Sequence, residues 1–526
     1  MKKIFTLIFT AVVTVGFAQE GYWQQQLKYD MQVTLNDKTR SLTGKQTIQY
    51  KNNSPETLQF IWFHLWPNAY KNDSTALLKQ IRNDLSRSEK LGAITYGSID
   101  GLNFKVDGKA AKTEPHPNPE YIDIIKVLLP TPLKPGATAT LTTDFRVKLP
   151  SYFSRSGFTD GEFMICQWYP KPAVFDKNGW HEFPYLDMGE FYSEYADYNV
   201  KITLPSDYVV GATGVLQDKE ELARYKSIGS MNAIGRNAPP KLYKPAKAGS
   251  KTLAYTAENV PDFAWFAEKG LIIQYDTIQL KDKTVDAFTY YHNQPGTLWN
   301  NSIDYVKDAV HHYSRWIGAY QYPTVQAFEG PKNNSSGGME YPMITLITCP
   351  DATREYLDGV IAHEVGHNWF MSMLGSNERA HTWQDEGLNT YYQFRYEAEK
   401  YHYNSVARES IPEEIKKLPV DQFQERIYFA LSQIPMQTVI EQPAADFKTS
   451  EDYGLVSYIK TAIWMYLLER QYSQAQVDKA FQDYFNTWSN KHPQPEDMKA
   501  SFEKSLGTTL DRFFALLKKP GSLLQQ

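Results

Sequence analysis

An all-β domain followed by an α+β domain is the fold class this sequence predicts, and three features predict it. From Tyr22 to about Gly270 the chain reads as short runs of alternating apolar and polar residues, punctuated throughout by Pro, Gly and Asn. Beyond Gly270 the texture changes, and from Tyr356 onward apolar residues recur at helical intervals, which segregates strands from helices along the chain. At 526 residues the sequence is also too long for one ordinary domain. A hydrophobic content of 42% with 36 Tyr and 12 Trp suits an aromatic-rich globular protein. The mean hydropathy of −0.51 excludes a multispan membrane protein.

Taken in order, Met1–Ala18 carries two lysines, an apolar run from Ile4 to Phe17 and small residues at Gly16 and Ala18, the pattern of a secretory signal cut before Gln19. The apolar run is short for a membrane span, and no cysteine follows the cut to take a lipid. The expected mature protein is therefore exported, periplasmic or extracellular, with no stable membrane span. Its formal charge moves from −5 to −7 without Lys2 and Lys3, which argues against nucleic acid and anionic membranes as partners. Tyr29–Leu35, Lys45–Tyr50 and Ala139–Val147 alternate as half-buried strands, and Gly235–Lys251 reads as an exposed loop. Leu271–Gln279 and Thr284–Tyr291 are further strands, ahead of a helix over Leu298–Trp316 and a segment Val325–Thr348 that includes the strand Ile344–Ile347. Helices are expected around 363, over Asp385–Lys400, Tyr458–Tyr472 and Pro495–Leu517. Cys166 and Cys349 lack the spacing of a metal pair; an exported compartment permits a disulfide, while buried thiols are the more ordinary reading.

The chemistry concentrates in His363-Glu364-Val365-Gly366-His367, followed after a gap of eighteen residues by Glu386 within Trp383-Gln384-Asp385-Glu386-Gly387. Histidines four apart share one helix face, so both imidazoles reach one cation. Glu364 points about 100° further round, away from ligation and toward a water held by the metal. Glu386, at the start of the next helix, supplies a third ligand. Two His and one Glu leave zinc an open position, the catalytic arrangement, with one zinc per chain expected. Upstream, Gly337-Gly338-Met339-Glu340 precedes the strand Ile344–Ile347. Glycines permit close approach of another backbone and a strand edge docks extended peptide, so Glu340 stands either where a peptide would end or as a solvated carboxylate on a turn.

Together these residues resemble the aminopeptidase N-type gluzincins, relatives of membrane alanyl aminopeptidase and the leukotriene hydrolase-aminopeptidases, over most of the chain. The resemblance implies an N-terminal β-saddle domain over 19–270, ending near Val260-Pro261-Asp262-Phe263-Ala264-Trp265, and a thermolysin-like catalytic domain over 271–526, without the large C-terminal helical domain of many relatives. It implies that Gly337, Gly338 and Met339 line the substrate and that Glu340 grips its free α-ammonium, although Tyr341 stands where the family has Asn. Val456-Ser457-Tyr458-Ile459-Lys460-Thr461-Ala462 resembles the family's Tyr-Glu-Lys-Gly-Ala segment, with Ile459 and Thr461 at the departures, and this makes Tyr458 the oxyanion donor. Tyr453 matches a pocket tyrosine of some members. Gln167, in Cys166-Gln167-Trp168-Tyr169-Pro170, matches a residue sent into the cleft to share the amine.

The expected function is a secreted zinc aminopeptidase acting on peptides with a free N-terminus. A secreted zinc endopeptidase with the same chemistry is one alternative, which Glu340 disfavours. A catalytically silent peptide- or glycan-binding protein is another, which the intact ligand set and Glu364 disfavour.

Overall fold

The computed structural model describes residues 21–523, positions 90, 191, 237, 334, 335, 350 and 351 excepted. The proposed leader Met1–Ala18 lies outside the described residues. Within them, a β-rich first half is followed by an α+β second half, in line with the expected class.

The strand Gln26–Asn36 shows how the pattern acts. Leu27, Tyr29, Met31, Val33 and Leu35 are buried and the residues between them exposed, so a slip of one residue would turn the whole apolar set to water. Ser41–Lys51 pairs antiparallel on one side and Ala196–Pro205 parallel on the other. Thr138–Lys148 and Ser250–Val260 extend this sheet outward. Trp265–Lys269 belongs to a smaller sheet, and Ile272–Gln279 begins the sheet of the second half.

That second sheet has the order Ile272–Gln279, Thr284–Tyr291, Thr324–Glu329, Ile344–Ile347, Gly338–Tyr341. Its central strands are parallel, so each connection must cross over a face, and the helix Ser302–Trp316 makes the first crossover. Gly338–Tyr341 turns back antiparallel to form an edge, pairing Gly338 with Ile347 and Glu340 with Thr345. The helix Arg354–Gly366, capped by the Thr353 hydroxyl on the Tyr356 N–H, packs beneath this edge.

Two details depart from the expected elements. The first half contains a helix, Lys219–Ile234, capped by Asp218 and laid against the second sheet, where Asn232 donates to the Ile273 carbonyl at 2.9 Å. The helix expected over Pro495–Leu517 breaks after Leu506, because Gly507 takes a left-handed conformation (φ 67°) and resumes only at Asp511. Cys166 and Cys349 are free thiols, the more ordinary of the two readings.

Candidate active site

His363 and Glu364 occupy the last turn of the helix Arg354–Gly366, and His367 follows at its end. Glu386 arrives from a wide π-type turn, Trp383–Gly387, that leads into the helix Leu388–Tyr401. A second such turn, Gly454–Lys460, carries Tyr458. The two turns touch: a Cβ on Gly387 would fall 2.3 Å from Thr461 Cβ and 2.4 Å from the Ser457 carbonyl oxygen, so only glycine allows the approach. Wide turns of this kind re-aim side chains at functional sites.

The three expected metal ligands converge. His363 Nε2 lies 3.2 Å and His367 Nε2 3.3 Å from Glu386 Oε2, and the two nitrogens are 3.1 Å apart. Donors held about 2.0–2.1 Å from a tetrahedral zinc ion would stand about 3.3 Å apart, so the triangle fits zinc. On its far side His367 Nδ1 meets Asp385 Oδ1 at 2.6 Å, a carboxylate that fixes the ring and its tautomer. The sequence reading gave Asp385 no role. Its only signal was that a ligating imidazole needs a partner on its other nitrogen.

Electrostatically the centre is crowded with carboxylates. Burial alone would raise Glu386, but the facing His367 and His363 imidazoles outweigh it and hold that carboxyl low. Burial raises Glu364, with the two histidines opposing. Burial also lifts Glu340 well above the ordinary range; His367 opposes this, while Glu386, Asp385 and Glu378 add to it. Glu340 Oε1 and Glu364 Oε2 are sealed from solvent with no hydrogen-bond partner. A buried carboxylate surrounded by others is a site for a cation.

A cavity of about 640 Å³ opens over this cluster. Gly337, Gly338 and Glu340 line it along the free edge of the sheet. A Cβ on Gly338 would sit 2.6 Å from the Glu364 carboxyl group and push that side chain from its place. Met339 does not line the cavity: alternation along the strand turns its side chain into the apolar core beside Tyr341. Tyr458 and Tyr453 do line it. Tyr458 donates its hydroxyl proton to Glu386 Oε1, and the Tyr453 hydroxyl donates to Glu378 Oε1 at 3.3 Å while accepting the Gly189 N–H. Gln167 is placed elsewhere; its backbone is left-handed (φ 45°) and its amide donates to the Tyr341 hydroxyl at 3.0 Å, outside the cavity lining. The first half instead contributes Arg155, ion-paired to Glu190 at 2.6 Å, and Arg87, ion-paired to Asp187. Glu378, with oxygens of Glu340 and Asp385 within 4.8 Å of its own, had no signal in the sequence.

Comparison with known proteins agrees with this geometry. Residues 303–516 match the model of the peptidase family M1 domain. Leucine aminopeptidase 2 of Sclerotinia sclerotiorum is 28% identical over 213 residues, 39% of this chain and 33% of that protein. A leukotriene A-4 hydrolase homolog of Botryotinia fuckeliana is 25% identical over 214 residues, 39% of this chain and 31% of that one. The chain thus spans about a third of the length of the curated relatives it matches. Over nearly its whole length it shares the fold of an M1 zinc metallopeptidase from Deinococcus radiodurans, with a TM-score of 0.61, 17% identity and coverage of 95% and 94% of the two chains.

Proposed function

We propose that this chain, whose residues 303–516 match the peptidase family M1 domain, is an exported zinc-dependent aminopeptidase that removes the first residue of peptides with a free amino terminus. The observation that carries this reading is the buried Glu340 carboxylate, one oxygen of it without a partner, at the free sheet edge beside a complete set of metal ligands and the Glu364 base.

His363, His367 and Glu386 would hold the zinc ion, which when bound polarises the scissile carbonyl and acidifies water. Glu364, aimed into the cavity with one oxygen unpartnered, accepts a proton from the attacking water and delivers it to the leaving amine. The Tyr458 hydroxyl borders the same space and would turn its proton from Glu386 Oε1 to the oxygen that gains charge. The edge Gly338–Tyr341 receives the peptide as an added strand, and Glu340 pairs with its α-ammonium. An internal segment or blocked terminus would leave that carboxylate buried and unpaired, which selects against endopeptidase action.

Export rests on the Met1–Ala18 leader pattern, and among the described residues no helix is long and apolar enough to cross a membrane. The test is to assay purified protein on matched free and N-acetylated peptides, with and without a chelator. Hydrolysis of free peptides that the chelator abolishes is expected; equal rates on acetylated peptides would overturn the exopeptidase reading. Cell fractionation tests export, which fails if the full-length chain stays in the cytoplasm uncleaved.

A further inference from the structure

Away from the catalytic ligands, three carboxylates converge on one imidazole where the first half meets the second. Glu162 precedes the short strand Phe163–Ile165, which pairs with Trp265–Lys269, the strand carrying Glu268. His292 follows the strand Thr284–Tyr291, and Glu329 ends the strand Thr324–Glu329 beside it. His292 Nε2 lies 3.0 Å from Glu162 Oε1 and 3.0 Å from Glu268 Oε2. On the other side of the ring, Nδ1 is 3.3 Å from Glu329 Oε2, which also accepts the His292 backbone N–H at 2.8 Å.

An ionic tie around a protonated imidazole accounts for only part of this arrangement. Three carboxylates against one imidazolium leave two negative charges in a largely enclosed site, and among the described residues no lysine or arginine pairs with any of the three. Geometry points the same way. His292 Nε2 and Glu268 Oε2 are both sealed from solvent, yet neither has a hydrogen-bond partner despite their separation, so the oxygens stand off the N–H axis. A proton belongs on that axis. Donors at right angles around an ion with bonds of about 2.1–2.2 Å stand about 3.0 Å apart and off one another's axes. The wiring also repeats that of His367, whose Nε2 faces the metal ligands while Nδ1 meets the Asp385 carboxylate. Glu329 occupies the place of Asp385 and would hold the His292 tautomer with Nε2 free.

We propose that Glu162, Glu268 and His292 form a second metal site, with Glu329 supporting the imidazole, for a divalent first-row transition ion such as Mn²⁺ or Zn²⁺. An imidazole among carboxylates favours such ions over Ca²⁺ or Mg²⁺, which take oxygen ligands. The side chains of Glu162, His292 and Glu268 are 18%, 15% and 15% exposed, which leaves a path for the ion and room for water to complete its shell. Because Glu162 and Glu268 come from one side of the junction and His292, with its supporting Glu329, from the other, the ion would tie the β-rich half to the catalytic half.

The test counts metal. Protein stripped with a chelator is dialysed against MnCl₂ or ZnCl₂ and its metal content measured, with thermal unfolding recorded in parallel. In a His363→Ala background, which disables the catalytic set, one equivalent is expected with a metal-dependent rise in Tm. Adding Glu268→Gln or Glu162→Gln, which keep side-chain volume, should abolish both. Failure of the His363→Ala protein to take up an equivalent at millimolar metal, or uptake that survives both Gln variants, overturns the proposal. If the catalytic reading alone were wrong, the wild type would take up one equivalent that is lost in Glu268→Gln and kept in His363→Ala.

Discussion

Glu340→Gln isolates the amine grip from the rest of the chemistry, because the side chain keeps its size and loses only its charge. Glu340 is 4% exposed and one of its oxygens has no partner, so a substrate ammonium would meet a desolvated carboxylate. Breaking a buried charge pair of this kind costs about 3–5 kcal/mol, or roughly a factor of 10² to 10³·⁵. The neighbourhood sets where in that range the loss falls. Carboxylate oxygens of Glu378 and Asp385 lie within 4.8 Å of Glu340's and would still attract the ammonium, which favours the lower end, about a hundredfold in kcat/KM. For an N-acetylated peptide the sign reverses, since the wild type must bury Glu340 against a neutral group and the variant need not. The assay is kcat/KM on a matched free and acetylated pair, with metal content measured on the same samples. A free-to-acetylated ratio within about threefold of wild type, at full metal occupancy, refutes the reasoning.

Glu364→Gln should retain metal and lose about 10²–10⁴ in kcat, and turnover near wild type would remove Glu364 as the base. For Tyr458→Phe, kcat should fall by about 10²–10³ with KM little changed; a pure KM effect would make it a packing residue. Asp385→Asn should weaken metal affinity about 10- to 100-fold in competition with a chromogenic chelator, since it removes the carboxylate from His367 Nδ1, and unchanged affinity would deny that role. Remote from this chemistry, burial lifts the Asp123 carboxyl, which accepts the Tyr185 N–H, to about 7 from an ordinary value of 3.8. Between those values the unfolded chain ionises while the folded one keeps its proton, so this group makes stability fall as pH rises, by up to roughly 1.4 kcal/mol per unit, with no further change above pH 7. Asp123→Asn should remove that slope in urea unfolding from pH 4 to 8; wild-type and variant curves running parallel would sink the assignment.

What could be read in advance followed from how local the determining physics is. His363 and His367 share a helix face by spacing alone, and Gln26–Asn36 shows its buried face as an unbroken period of two. The helix Lys219–Ile234 was hidden because its buried face, Glu221, Tyr225, Gly229 and Asn232, has helical spacing but little apolar character. That face meets a strand whose Tyr275 would lie 2.6 Å from a Cβ on Gly229, so close backbone approach and a side chain-to-carbonyl bond from Asn232 do the work that a leucine stripe does elsewhere. Polar, tertiary contacts of this kind leave no periodic signal.

The same distinction separates the site residues. Met339 failed as a lining residue by strand alternation, a local rule that was already available, since Gly338 and Glu340 cannot share a face with it. Gln167 failed for a reason no local rule contains. Its partner, the Tyr341 hydroxyl, comes from the position where the resembled family has Asn, and this tyrosine gives the 167 amide a buried acceptor outside the cavity lining. With that amide turned away, the Glu340, Glu378 and Asp385 carboxylates are left close together, so under the proposed function the charge on Glu340, rather than a hydrogen bond from Gln167, is expected to carry the selectivity.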